Sequence, residues 1–141
     1  TDADRLEEGW GQIRAALPEG IPDLIAAYPQ VRRYQGRVRL LMGLLRYAAR
    51  DDVLALGLQA LQDASTLVRY RACALLAFAQ RQEAIPPLQA LLRHPDRKTA
   101  EDAQAAIDAI ERQNRHFFLD RQHTGRIFIN LPDDPLPHEL P

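Results

Sequence analysis

The sequence predicts an all-α fold: a short α-solenoid of about three helix pairs, with an N-terminal capping helix at one end and a C-terminal β-hairpin at the other. Three observations predict it. A 31-residue period aligns residues 20–50, 51–81 and 82–112, so that Leu44, Leu75 and Ala106 share a column, as do Leu45, Leu76 and Ile107. Leu41, Ala72 and Ala103 precede those columns by one helical turn, and Ala48, Ala79 and Ile110 follow by one. Apolar residues form 46% of the chain and are mostly Leu and Ala, aromatics only 6%, and β-branched runs are nearly absent before residue 127, a balance that favours helix. A repeat of this length, with helical spacing inside each unit, suits stacked helix pairs, because one pair cannot bury its apolar face alone.

The elements follow in order within a single domain spanning 1–141. Residues 1–19 form the capping helix: Asp2 or Asp4 caps it, Leu6, Trp10, Ile13 and Leu17 make its apolar stripe, and Pro18 to Gly20 end it. Trp10 is read as a packing anchor rather than a stacking platform. Residues 20–112 hold the three repeats. The first opens at Ile21-Pro22, with Pro tolerated in the first helical turn, and Pro29 stops that short helix. Its second helix is expected from Val31 or Gln35 to Ala49. The second repeat has helices near 52–61 and 65–80, with Ser65 as N-cap. The third opens at Ile85-Pro86, and its second helix is expected over 99–114, with Thr99 and Asp102 as a capping box. After Asn114 the pattern changes. His116 to Leu119 and Arg126 to Leu131 read as two strands joined through Gly125, a hairpin over 113–131. Residues 132–141 carry four prolines and are expected to be extended or disordered.

Leu58-Gln59-Ala60-Leu61-Gln62-Asp63, followed by Val68, Arg69 and Ala72, resembles the HEAT-like repeat family in its short bacterial form. Leu88-Gln89-Ala90-Leu91 through Pro95-Asp96 to Ala103 repeats the pattern. The resemblance covers about 90 of the 141 residues. It implies a solenoid whose second helices line a concave face, and a hydrogen-bonded ladder of turn Asp and following Arg. Asp63 and Arg69 match that ladder. His94 and Ala100 stand in the third repeat, and Arg32 and Val38 in the first, so one rung is expected. Some members of the family are iron-dependent hydroxylases with paired His-Glu motifs. Here only His138-Glu139 occurs, so that activity is not implied.

Composition narrows the function. No apolar stretch approaches the ~18 residues of a membrane span, and the polar start is no signal peptide. The polar start and proline-rich finish are expected of a unit that is not a fragment of a longer solenoid, since an exposed repeat end would need covering. Single Cys73 cannot form an internal disulfide, which fits a reducing, cytoplasmic location, and it is read as a buried structural thiol. There is no phosphate-binding glycine loop, no nucleophile elbow and no cysteine pair for zinc, so the chain is read as no enzyme and as needing no cofactor. His116, Asp120 and His123 form the one cluster with ligand chemistry, read as a structured turn rather than a metal site. His94 is likewise a turn residue.

Net charge is −1, but the charges are sorted. Residues 1–30 hold two basic and six acidic side chains, 31–81 nine and three, and 82–141 seven and ten. On the second helices, the stripe opposite the core columns reads Arg39, Gly43, Arg46, Arg50, then Tyr70, Ala74, Ala77, Arg81, then Glu101, Ala105, Asp108, Arg112. These are either solvated helix faces or a groove with a smooth Gly/Ala floor, basic at one end and acidic at the other. The groove reading makes Arg39, Arg46, Arg50, Tyr70, Arg81, Glu101 and Asp108 partner-binding residues. It makes the protein a non-catalytic interaction module (adaptor, inhibitor or immunity-type protein) for a protein partner with an acidic patch. The alternative is nucleic-acid binding through Arg32, Arg33, Arg37, Arg39, Arg69 and Arg71 with Tyr34 and Tyr70, against which stand the pI of about 6.4 and the acidic ends.

Overall fold

Pro22 and Pro86 each sit in the first turn of a short helix, as expected, where their missing N–H groups cost nothing. The computed structural model describes residues 17–130. Among them are six α-helices: α1 (Ile21–Ala27), α2 (Tyr34–Gly43), α3 (Asp51–Ala60), α4 (Thr66–Ala79), α5 (Ile85–Ala90) and α6 (Arg97–Glu111). Short 3-10 turns link them. The expected capping helix with Trp10, and the proline-rich tail with His138-Glu139, lie outside the described residues. Leu17, at the described edge, packs against the core.

Helix α4 sits at the centre. It packs on its own partner α3, on α2 and on α6, while α6 packs on α5 and α1 on α3. Its apolar residues run almost all the way round: Ala72, Cys73, Leu75, Leu76 and Ala77 are at most 1% exposed. Gly57 lets α3 approach closely, since a β-carbon there would stand 3.1 Å from Leu76. The four expected core columns are buried, except for partly buried Leu45.

Three boundaries differ from expectation. The helix expected to reach Ala49 stops at Gly43. The N–H groups of Leu44 and Tyr47 bond to Leu41 and Leu44 oxygens, tightening the chain into a 3-10 turn over Leu45–Tyr47. Helix α6 starts earlier than expected: Asp96 is its N-cap, accepting the Lys98 N–H at 3.0 Å. Thr99 and Asp102 are buried instead of capping, because both are drawn into side-chain contacts described below. The expected hairpin is not found among the described residues. Arg115–Phe118 is a 3-10 turn capped by Asn114, the N–H groups of Leu119 and Asp120 bond back to His116 oxygen, and no strand follows. Gly125 does take the positive φ expected of it, at 74°.

A polar ladder crosses the repeats at the start of α4. The Arg37 guanidinium grips the Asp63 carboxylate through Nε (2.8 Å) and a second nitrogen (3.1 Å), and also donates to the Val31 and Arg32 carbonyls. Tyr28 hydroxyl donates to the same carboxylate at 2.8 Å. One repeat further on, Arg69, only 6% exposed, donates to the Asp63 carbonyl, to Thr66 and Thr99 hydroxyls and to the Asp96 carboxylate. Two arginine–carboxylate pairs are therefore present, Arg37–Asp63 and Arg69–Asp96, whereas the expected pair, Asp63 with Arg69, meets only through the Asp63 carbonyl. Each Arg reaches the turn Asp of the next repeat, a pairing that spacing within one repeat does not reveal.

A second row runs along the opposite ends of α4 and α6. Gln80 and Gln113 both take left-handed backbone, φ 57° and 51°. Each side-chain amide donates to its own helix, at Ala77 and Ile110 oxygens. Gln80 also donates to the Ala109 oxygen, and Gln113 to the Gln80 oxygen, so the two helix ends are tied together.

Charge and hydroxyl contacts set the acid response of the ladder. The Thr66 hydroxyl, ahead of the Lys98 N–H and Arg69, holds the Asp96 carboxyl at about 2 against an ordinary 3.8. At Asp63, burial pushes the carboxyl up, but Arg37, the Ser65 N–H and Tyr28 outweigh it and the net shift is downward. A carboxyl lowered on folding contributes stability above its unfolded value and loses it as pH falls through its folded value. The Asp96 contribution is therefore complete above pH 3.8 and lost through about 2. Thr66→Ala is expected to raise the Asp96 carboxyl and move the acid-unfolding midpoint to higher pH, read by circular dichroism; an unmoved midpoint would refute this. Arg69→Ala, which takes one of several donors from the partly exposed Asp96 carboxylate and leaves the Asp63 carbonyl and the buried Thr99 hydroxyl without theirs, is expected to cost about 2 kcal/mol in urea unfolding. Arg69→Lys should recover only part of that, because an ammonium lacks the planar fork. At Gln80, Gly should be less damaging than Ala by about 1 kcal/mol, since both lose the amide but only Ala keeps a β-carbon in left-handed backbone.

Candidate functional site

Residues 115–129 lie across the face formed by α4 and α6, and they bring the densest set of aromatic and charged contacts among the described residues with them. The 3-10 turn Arg115–Phe118 packs on both helices. Phe118 is 1% exposed and lies against Tyr70 of α4, ring centroids 5.4 Å apart. The Arg121 guanidinium folds back over the Phe118 ring at 5.1 Å, donates through Nε to the Phe118 carbonyl (2.8 Å), and reaches Asp102 Oδ1 on α6 at 2.9 Å. Lys98 stands 3.5 Å from the same carboxylate oxygen and 5.5 Å from the Tyr70 ring centroid, and Arg71 lies over that ring too. Asp102 is fully buried, and its Oδ2 has no hydrogen-bond partner among the described residues.

The outer part of the segment is held by a turn and a second pair. Asp120, 1% exposed, accepts from the Thr124 N–H and hydroxyl and from the Gly125 N–H. Burial by itself raises this carboxyl, but those three donors, with His123 adding to them, outweigh it and hold it below the ordinary value. His123 Nε2 meets Asp108 Oδ2 of α6 at 2.5 Å, and its ring stacks flat on Phe117 at 3.8 Å. The Ile129 N–H donates to His116 Nδ1. Between segment and helix lies an open cleft of about 450 Å³, walled by Glu101, Gln104, Ala105 and Asp108 on one side and Arg121 and His123 on the other.

Of the expected partner-binding residues, Glu101 and Asp108 wall this cleft, and Tyr70 lies under the same segment against Phe118. Arg39, Arg46, Arg50 and Arg81 do not line the cleft. Arg39 is half-buried on α2, whereas Arg46 lies in the 3-10 turn, 5.9 Å from the Tyr47 ring. Arg50 pairs with Asp52, and Arg81 with Asp51 and Glu83. The single stripe from Arg39 to Arg50 needs a continuous helix, and the end of α2 at Gly43 interrupts it. The open Gly/Ala floor is also corrected: Gly43, Ala74, Ala77 and Ala105 are buried. Gln104, Arg121 and His123 were not expected in the site. Gln104 is on α6 beside the expected stripe, whereas the signal for Arg121 and His123 lay in the segment read as a hairpin, where Phe118 and Arg121 are three residues apart.

The other constellations separate. Arg37 and Arg69 of the arginine cluster are taken up in the ladder, while Arg32, Arg33 and Tyr34 are exposed. His116, Asp120 and His123 each engage a different partner, and no group of three or more His, Cys, Asp or Glu among the described residues is placed to hold a metal. His94 Nδ1 accepts the Asp96 N–H, a turn contact. Burial, and then Asp102, push the Cys73 thiol up to about 12, which makes it a poor nucleophile at neutral pH. No helix among the described residues is long and apolar enough to cross a membrane.

No protein-family model, curated protein or solved structure matches this chain. The chemistry of the face therefore rests on its own geometry.

Asp120→Ala should open the 120–125 turn. The expected result is amide exchange at Thr124 and Gly125 faster by about tenfold or more, with α4 amides unchanged, because the turn is a local unit. Uniform acceleration across α4 would show instead that Asp120 supports the whole fold.

Proposed function

We propose that this chain is a non-catalytic protein–protein interaction module: a short HEAT-like α-solenoid that binds a protein partner through the face presented by α2, α4 and α6. The observation that carries the reading is the seating of residues 115–129 on α4 and α6. A surface that takes an irregular segment of its own chain through one buried aromatic and two charge pairs has the properties of a peptide-binding surface. The packing of α4 on α2, α3 and α6, with the arginine and glutamine rows between repeats, supports the stacked-pair arrangement. A framework tied in this way is preorganised and loses little ordering entropy on binding.

The partner in this reading carries an acidic patch that meets Arg39, Arg46 and Arg50, with Arg81 beside them. An adaptor, an inhibitor or an immunity-type protein acting in the cytoplasm fits a module of this size. The nucleic-acid alternative is weakened, since Arg37 and Arg69 are spent on Asp63 and Asp96.

The test is affinity capture from nuclease-treated source lysate, with wild type beside the Arg39→Glu, Arg46→Glu, Arg50→Glu variant and folding checked by circular dichroism. The expected result is one stoichiometric protein, lost with the variant. Capture that persists in the variant would remove these arginines from the site, and capture of only nuclease-sensitive material would favour the nucleic-acid alternative.

A further inference from the structure

Phe118 and Arg121 act as one unit. The ring is buried against Tyr70, and the guanidinium covers the ring's outer side and ends on the buried Asp102 carboxylate. Every group that receives this unit belongs to the helical framework: Tyr70 on α4, and Lys98 and Asp102 on α6. The segment that supplies it is anchored at Phe118 and Asp120 and open beyond them. Residues 121–128 are all exposed, and beyond Phe118 the segment has no regular secondary structure. Segments with few buried apolar contacts open at a small fraction of the global unfolding free energy. The groups that receive the unit lie outside residues 121–128; of the α6 carboxylates here, buried Asp102 takes the guanidinium directly, while Glu101 and Asp108 also pair with Arg97 and Arg112.

We propose that the α4–α6 face is a receptor for a Phe-x-x-Arg segment of a partner protein, and that Phe118 to Arg121 is a built-in occupant which such a partner displaces. The inference rests on the interaction-module reading and names the chemistry of the partner at this end of the face. Aromatic burial against Tyr70 supplies the anchor, and the Arg–Asp102 pair sets direction and spacing. Tethering places the chain's own segment at an effective concentration on the order of millimolar, so it suppresses weak competitors and admits only a partner that adds contacts beyond the motif.

The test uses the full chain and a fluorescein-labelled peptide with the sequence of residues 114–130, followed by fluorescence polarisation. The chain carrying Phe118→Ala and Arg121→Ala, with its own occupant disabled, should bind the peptide at least tenfold tighter than wild type. Replacing the peptide's own Phe by Ala or its Arg by Glu should remove binding, as should Asp102→Asn added to the chain. Amide exchange in α4 reports whether the variants are folded. If the double variant is unfolded, Arg121→Ala alone carries the same comparison. A folded variant that ignores the peptide, or binds its Phe-x-x-Glu version equally well, overturns the proposal. Peptide failure alongside successful protein capture overturns this inference and leaves the module reading standing. Peptide binding alongside capture that the triple arginine variant leaves intact upholds the receptor and removes Arg39, Arg46 and Arg50 from the partner's site.

Discussion

The arrangement of these helices depends on the Arg69 guanidinium. It lies at the start of α4 and touches the Asp63 carbonyl behind it and the Asp96 carboxylate ahead, with the Thr66 and Thr99 hydroxyls filling its remaining donors. A core of Leu and Ala drives burial but is non-directional, and it would tolerate helices sliding past one another. A buried guanidinium does not tolerate this, because any slip leaves donors unpaired in a low dielectric. Arg37 and Asp63 impose the same condition one repeat earlier, with Tyr28 on the carboxylate's other side. At the far ends of the helices, Gln80 and Gln113 close the frame. With both ends of α4 and α6 constrained, the face between them has a defined width.

That width is what the C-terminal segment uses. Phe118 occupies the space between α4 and α6, and the Arg121–Asp102 ion pair and the His123–Asp108 hydrogen bond fall six residues apart on α6. Asp102 illustrates the balance at this site. A fully buried carboxylate is costly unless paired, and here the pairing comes from a side chain one-third exposed, on a segment without regular structure. Lys98 of α6 stands 3.5 Å from the same oxygen, so the carboxylate is served by the framework as well as by the segment. At Asp120 the three donors are instead all local, so that turn keeps its shape wherever the segment goes.

The helical class and the buried columns were legible in the amino-acid order alone. Leu and Ala at helical spacing bury the same face in any stack, and prolines at 22 and 86 together with Ser65 mark local boundaries that need no tertiary partner. The end of α2 at Gly43, the capping of α6 by Asp96 and the path of residues 115–130 were decided by tertiary structure. In each case a residue with two local uses was claimed by a distant partner. Thr99 left its capping role for Arg69, Asp102 left its own for Arg121, and Phe118 chose the α4–α6 face over a strand. The candidate face follows the same division: helical periodicity places Glu101, Gln104 and Asp108 on α6, but Arg121 and His123 reach them only through the path of a segment with no period. Periodic residues are placed by their neighbours in the chain, whereas unpaired polar and aromatic groups are placed by whichever buried partner lowers their desolvation cost most.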